Sequence, residues 1–117
     1  MKNILVVEDD ERLLVTFPRL LENDDTTVFP GHDVRGALTI LDFTKIDIAV
    51  LDHKLPRISG EKLAKHINTK YPDTKIYMIY GFDQVLEALD KVRVLVHGVF
   101  KKPVNPRLLE IIEQQAE

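Results

Sequence analysis

Two apolar runs in this chain stop at acids. Ile4-Leu5-Val6-Val7 leads into Glu8-Asp9-Asp10, and Ile46-Asp47-Ile48-Ala49-Val50-Leu51 leads into Asp52. Short runs of this kind suit strands covered on both faces of a parallel sheet. In open parallel sheets, ligands bind outside the carboxyl ends of the strands. A single acid at a strand end can simply cap a loop, so the chemical reading depends on several acids meeting at one edge. If they do meet, they repel. Two unit charges about 4 Å apart cost roughly 4 kcal/mol at an effective dielectric of 20. Lys102, after a fifth apolar run, is one candidate to offset this, and a divalent metal is another. Mg2+ prefers oxygen ligands, one or two of them carboxylates, and keeps several waters. Acids, a lysine and Mg2+ together make a site for phosphoryl transfer in which a carboxylate can be the nucleophile. No glycine-rich loop follows the first run, so a nucleotide cradle is not expected.

The elements that must position these residues alternate along the chain. After the first strand, Leu13, Leu14, Phe17, Leu20 and Leu21 lie at helical spacing, with Asp10 and Glu11 at the positive end of the dipole. Pro18 interrupts this helix, removes the hydrogen bond to the Leu14 carbonyl and should kink it. Thr26 to Phe29 reads as a second strand ended by Pro30-Gly31. Asp33 caps a second helix whose inward face is Val34, Ala37, Leu38 and Leu41. Ile46 to Leu51 is the third strand, Leu55 to Ile58 a loop, and Ser59 the cap of a third helix with Leu63, Ala64, Ile67 and Tyr71 inward. Lys75 to Tyr80 is the fourth strand and Gly98 to Lys101 the fifth. Helices beginning at Asp83 and Asn105 complete the pattern, the last with Pro106 at its first position.

This βαβαβαβαβα order argues for an α/β fold with a parallel sheet and helices on both faces. The flavodoxin-like strand order 2-1-3-4-5 puts the switch point between the first and third strands, where Glu8, Asp9 and Asp52 then converge. The 117 residues suit one domain over residues 1–117, with 44% hydrophobic and 30% charged residues enough for a real core. Sixteen basic against nineteen acidic residues do not suggest a nucleic-acid binder. The absence of cysteine excludes a disulfide framework and a thiolate site. With no signal pattern and no membrane-length apolar run, a cytoplasmic location is expected.

Three pieces in order, Ile4 to Glu11, then Leu51-Asp52-His53-Lys54-Leu55-Pro56 with Gly60, then Lys102-Pro103, resemble the receiver domain of bacterial two-component response regulators. The resemblance covers essentially the whole chain. It implies that Asp52 is the phosphoacceptor, that Asp9 binds Mg2+ directly, that Glu8 holds a metal-bound water, and that the Lys54 backbone carbonyl completes the protein ligands. It implies that Lys102 pairs with the phosphoryl group, and that the Lys102-Pro103 bond is cis. The donor would be a histidine kinase or phosphotransfer protein, and a homodimer could form through the fourth helix, fifth strand and fifth helix. The chain departs from the family's pattern at Tyr80, where Ser or Thr is usual, at Val99, where Tyr or Phe is usual, and at Ser59, where an acid is usual. Close packing suggests that the Tyr80 ring fills space left by the small Val99. Phe82, in the turn after the fourth strand, should keep the hydrolytic water away.

Two other functions compete with a phosphoacceptor. A pseudo-receiver would use the same fold only to bind proteins, its chemistry disabled at Tyr80 and Val99. A magnesium-dependent phosphohydrolase would usually carry its nucleophile after the first strand in a frame with a second acid two residues on and a following Thr, and Glu8-Asp9-Asp10 lacks that frame with its Thr. Plainer roles suit other polar residues: Asp10 as a helix start, His53 as packing, and Lys62, Lys65 and Lys70 as the solvated side of the third helix. Tyr77 reads as core or edge packing and Lys101 as solvent-facing. His32, His53, His66 and His97 show no metal-ligand spacing.

Overall fold

The computed structural model describes residues 2–55, 58–80 and 96–101. Its elements run β1 (Lys2–Val7), α1 (Glu11–Leu21), β2 (Thr26–Gly31), α2 (Val34–Phe43), β3 (Ile48–Asp52), α3 (Gly60–Lys70), β4 (Lys75–Tyr80) and β5 (Gly98–Lys101). The strands form one five-stranded sheet in the order β2-β1-β3-β4-β5, and every pairing is parallel. This is the order expected from the alternating pattern. The helices expected from Asp83 and Asn105 lie outside the described residues.

Period-two alternation divides the strand residues between two cores. Leu5, Val7, Ala49, Leu51, Ile76 and Met78 face one way and pack with Ala37 and Leu41 of α2 and Leu63, Ala64 and Ile67 of α3. Ile4, Val6, Ile48, Val50, Tyr77 and Ile79 face the other way and pack with Leu21, Leu13 and Leu14 of α1. All five residues of β3 are buried. Each large apolar side chain so buried contributes about 1.5–3 kcal/mol, so a one-residue slip of β3 would exchange its contacts with both cores at once.

Two boundaries differ from the sequence reading, those of β2 and β3. β2 continues through Pro30 and Gly31, paired with Val6 and Val7. A proline is tolerated because β2 is an edge strand, where a missing N–H breaks no ladder on the open side. α1 runs from Glu11 to Leu21, the span expected, with Pro18 inside it. β3 begins at Ile48 rather than Ile46, because the Asp47 side chain, through Oδ2, accepts the Asn3 N–H at 2.8 Å in place of a ladder bond. The strand then runs one residue further than expected and takes in Asp52.

The caps at Asp33 and Ser59 are present: Asp33 Oδ1 accepts from Gly36 N at 2.8 Å, and Ser59 Oγ from Lys62 N at 3.3 Å. Tyr77 is core, 1% exposed. The edge between β4 and β5 carries a titratable group. His97 N donates to the Ile76 carbonyl at 2.7 Å, and the His97 ring accepts the Ile76 N–H through Nδ1 at 3.2 Å. That second bond requires an unprotonated Nδ1. Desolvation, with help from the Lys75 charge, holds the imidazole below its ordinary value of 6.5. A lowered histidine means that the unfolded chain binds the proton first, so stability is full above 6.5 and falls as pH drops toward the folded-state value. His97→Asn can keep an acceptor there but cannot take up the proton. Urea unfolding of both proteins between pH 7 and 5 should show the parent losing stability more steeply, and parallel profiles would count against this role.

Candidate functional site

The register between β1 and β3 brings the acids together. Val7 is paired with Leu51, so the next step sets Glu8 beside Asp52. Glu8 leaves the strand with its N–H donated to the Gly31 carbonyl at 3.1 Å, so the extension of β2 helps to hold it. Asp52 is the last residue of β3, level with Ile79 of β4. One carboxylate oxygen from each of Glu8, Asp9 and Asp52 lies within 4.8 Å of the others. Glu8 and Asp52 are 2% and 3% exposed, and Asp9 is open to solvent.

Asp10 takes a different part, as its position suggested. Its Oδ1 accepts the Arg12 N–H at 2.9 Å, and its carbonyl accepts from Leu13 N and Leu14 N, each at 3.1 Å. The Arg12 backbone N–H holds the Asp10 carboxyl below the usual carboxylate range. Asp10 is therefore the start of α1, and its own N–H donates to Glu8 Oε1 at 3.2 Å, steadying that side chain.

The donor set fits a hard divalent cation. It consists of oxygen alone, two acids come from a buried strand edge, and the exposed third leaves a side on which waters can remain. Among the described residues, no histidine joins such a group. Lys54 follows one residue after His53, and its N–H makes a long bond of 3.4 Å to Asp52 Oδ1. The loop from Asp52 to α3 is tightly closed. Gly60 N donates to the His53 carbonyl at 2.9 Å. A Cβ on Gly60 would overlap the Asp52 carbonyl oxygen and come within 3.0 Å of the His53 Cα. Only glycine allows α3 to begin so close to the end of β3.

Two features escaped the sequence reading. His53 is not mere packing: its Nε2 lies 3.0 Å from Glu61 Oε1 in the first turn of α3. No periodicity links residues eight apart across a loop. The second is a cleft of about 420 Å³ at the other end of the sheet, bordered by Phe43, Lys45, Lys70, Tyr71 and Thr74. None of Glu8, Asp9 and Asp52 lines it. Lys102, Pro103 and Phe82 lie outside the described residues, as do the side chains of Tyr80, Val99 and Lys101, so the expected Tyr80–Val99 contact does too. The exposed Lys62, Lys65 and Lys70 take the solvated side of α3, with Lys70 Nζ reaching Asp42 Oδ1 at 3.1 Å.

A five-stranded parallel sheet with acids from the ends of its first and third strands defines a class, and comparison with known proteins agrees with it. Residues 4–113 match the response regulator receiver domain, and the chain belongs to that family. The regulatory protein VanR of Enterococcus faecium is 32% identical over 93% of this chain and 46% of its own length. PhoP of Bacillus subtilis, the alkaline phosphatase synthesis transcriptional regulatory protein, is 32% identical over 91% of this chain and 44% of its own. This chain thus spans less than half the length of these curated relatives. Among solved structures, a CheY-like receiver domain protein of Methanospirillum hungatei superposes with a TM-score of 0.85 at 28% identity, over 99% of this chain and 94% of that one. The response regulator TrrA of Thermotoga maritima, in complex with Mg2+-BeF, covers all of both chains with a TM-score of 0.86 at 23% identity. The chain is thus a response regulator receiver domain whose acidic residues meet at the strand ends, and the reading as a binding module with disabled chemistry finds no support.

Gly60→Ala should cost stability as an overpacking substitution does, about 1–3 kcal/mol. Gly36→Ala is the control, since its new methyl would meet only the Asp33 carboxylate, at 3.3 Å. That change should stay within about 1 kcal/mol of the parent. Equal losses in urea unfolding would remove the tight closure at Gly60.

Proposed function

We propose that Asp52 is the phosphoacceptor, with Glu8, Asp9, Asp52 and the Lys54 carbonyl as the Mg2+ site, and that the chain is a single receiver domain over residues 1–117. The observation that carries this reading is the meeting of the three carboxylates at the switch point between β1 and β3. An oxygen of Asp52 would form the new bond to phosphorus as the bond from phosphorus to the donor imidazole breaks, and the imidazole would leave with that electron pair. Burial of Asp52 at the strand end limits access of water, and its Oδ1 is oriented by the Lys54 N–H. Asp10, tied to α1, steadies Glu8 rather than binding metal. Bound Mg2+ would offset the charge of the acids and of the phosphoryl oxygens. Lys102 would add a second cation to those oxygens.

TrrA, which shares the fold, was solved with Mg2+-BeF, and this supports Mg2+ as the metal. The donor would be a histidine kinase or phosphotransfer protein. VanR and PhoP carry regulatory names, which supports an output region or partner protein that reads the state of Asp52. The site would serve in the cytoplasm. Among the described residues, no helix is long and apolar enough to cross a membrane.

Acetyl phosphate should add one phosphoryl mass to the intact protein only when Mg2+ is present, and Asp52→Asn should abolish the addition. Asp9→Ala should weaken Mg2+ binding more than Asp10→Ala does. Equal labelling of the parent and Asp52→Asn would sink the acceptor assignment, and greater damage from Asp10→Ala would shift the metal ligand by one residue.

A further inference from the structure

His53 stands between Asp52 and Lys54 and, among the described residues, makes three bonds to two different elements. Its N–H donates to the Ile79 carbonyl of β4 at 2.9 Å. Its carbonyl accepts the Gly60 N–H at the start of α3, also at 2.9 Å. Its Nε2 meets Glu61 Oε1 in the first turn of α3 at 3.0 Å, with the two side chains only 20% and 26% exposed. An ionised carboxylate only accepts, so Nε2 carries the proton of that bond. Glu61 is suited to its place, because an acid in a first turn meets the positive end of the helix dipole.

The consequence for the neighbouring residues is geometric. A peptide group is planar, so fixing the His53 carbonyl fixes the plane that contains the Lys54 N–H. That N–H is the group directed at Asp52 Oδ1. The Lys54 carbonyl is then only two dihedral angles away. The His53–Glu61 bond ties the ring of the same residue to the helix, eight residues on, and so closes the loop from outside.

We propose that His53 is a positioning residue, held by Glu61, which presents the Lys54 carbonyl to the acids and so raises Mg2+ affinity before any phosphoryl donor arrives. This rests on the reading of Glu8, Asp9, Asp52 and Lys54 as the Mg2+ site. Partners behind the direct ligands commonly change metal affinity by about 10–100-fold, and one backbone ligand among several belongs at the low end. The bond is made by two side chains, neither of them a proposed ligand, so removing it deletes no ligand atom.

The test is a Mg2+ titration followed by amide NMR shifts, on the full chain and on His53→Ala, Glu61→Ala, the double variant and His53→Gln. Circular dichroism melting is recorded for each without metal. The Kd should rise about tenfold in each alanine variant and no further in the double variant. His53→Gln, which can still donate to Glu61, should recover most of the loss. A purely structural role would lower the melting temperature and leave the Kd of the folded protein unchanged, and that result overturns the proposal. So would a glutamine variant as weak as the alanine one. If His53→Ala does not fold, Glu61→Ala carries the test, because alanine is the best helix former and Glu61 is at a partly exposed helix position. A parent chain that binds no Mg2+ overturns the metal reading and this role together. A parent that binds beside folded variants with the same Kd overturns this role alone.

Discussion

Two buried carboxylates and a third acid are kept within 4.8 Å of each other by a sheet that cannot easily yield. Like charges at that spacing oppose the fold. What holds them is apolar burial on both faces of β1 and β3, from Ile4 to Val7 and from Ile48 to Leu51. Sliding either strand to separate the acids would strip both cores at once. The repulsion is therefore stored at the strand ends, where a divalent cation can relieve it. This links the packing of the domain to the chemistry at its edge, since the same residues that give the sheet its stability set the distance between Glu8 and Asp52.

Around that fixed edge, each loop is tied by a bond of its own. Asp10 starts α1 and donates back to Glu8, so the acidic run divides into two kinds of residue. Glu8 and Asp9 face the site, and Asp10 serves the helix. On the other side, Gly60 lets α3 begin against the Asp52 carbonyl, and the His53–Glu61 bond closes the intervening loop. The closeness at Gly60 has a cost in freedom and a benefit in precision: the start of α3 is set by the position of the end of β3. The cleft at the opposite end of the sheet, walled by the Asp42, Lys70 and Tyr71 contacts, takes no part in this arrangement.

Much of this was legible in the chain itself. Period-two burial and the alternation of strands with helices determined the sheet, and the strand order brought Glu8, Asp9 and Asp52 to one crevice. The caps at Asp33 and Ser59 and the helix start at Asp10 followed from local hydrogen-bond chemistry, which needs only neighbours in sequence. What local rules could not decide were the features that depend on who lies alongside. Pro30 and Gly31 look like a strand end until β2 is seen to be an edge strand beside Val6 and Val7. Ile46 looks like the start of β3 until the Asp47 carboxylate is found on the Asn3 N–H. The His53–Glu61 bond and the imidazole that accepts from Ile76 join residues whose separation has no period, so only the tertiary structure brings them within reach. The sequence by itself determined which acids could meet. The packing of α3 on the end of β3 decided how firmly their loop is held, because that depends on the approach of two backbones, and no side-chain pattern encodes it.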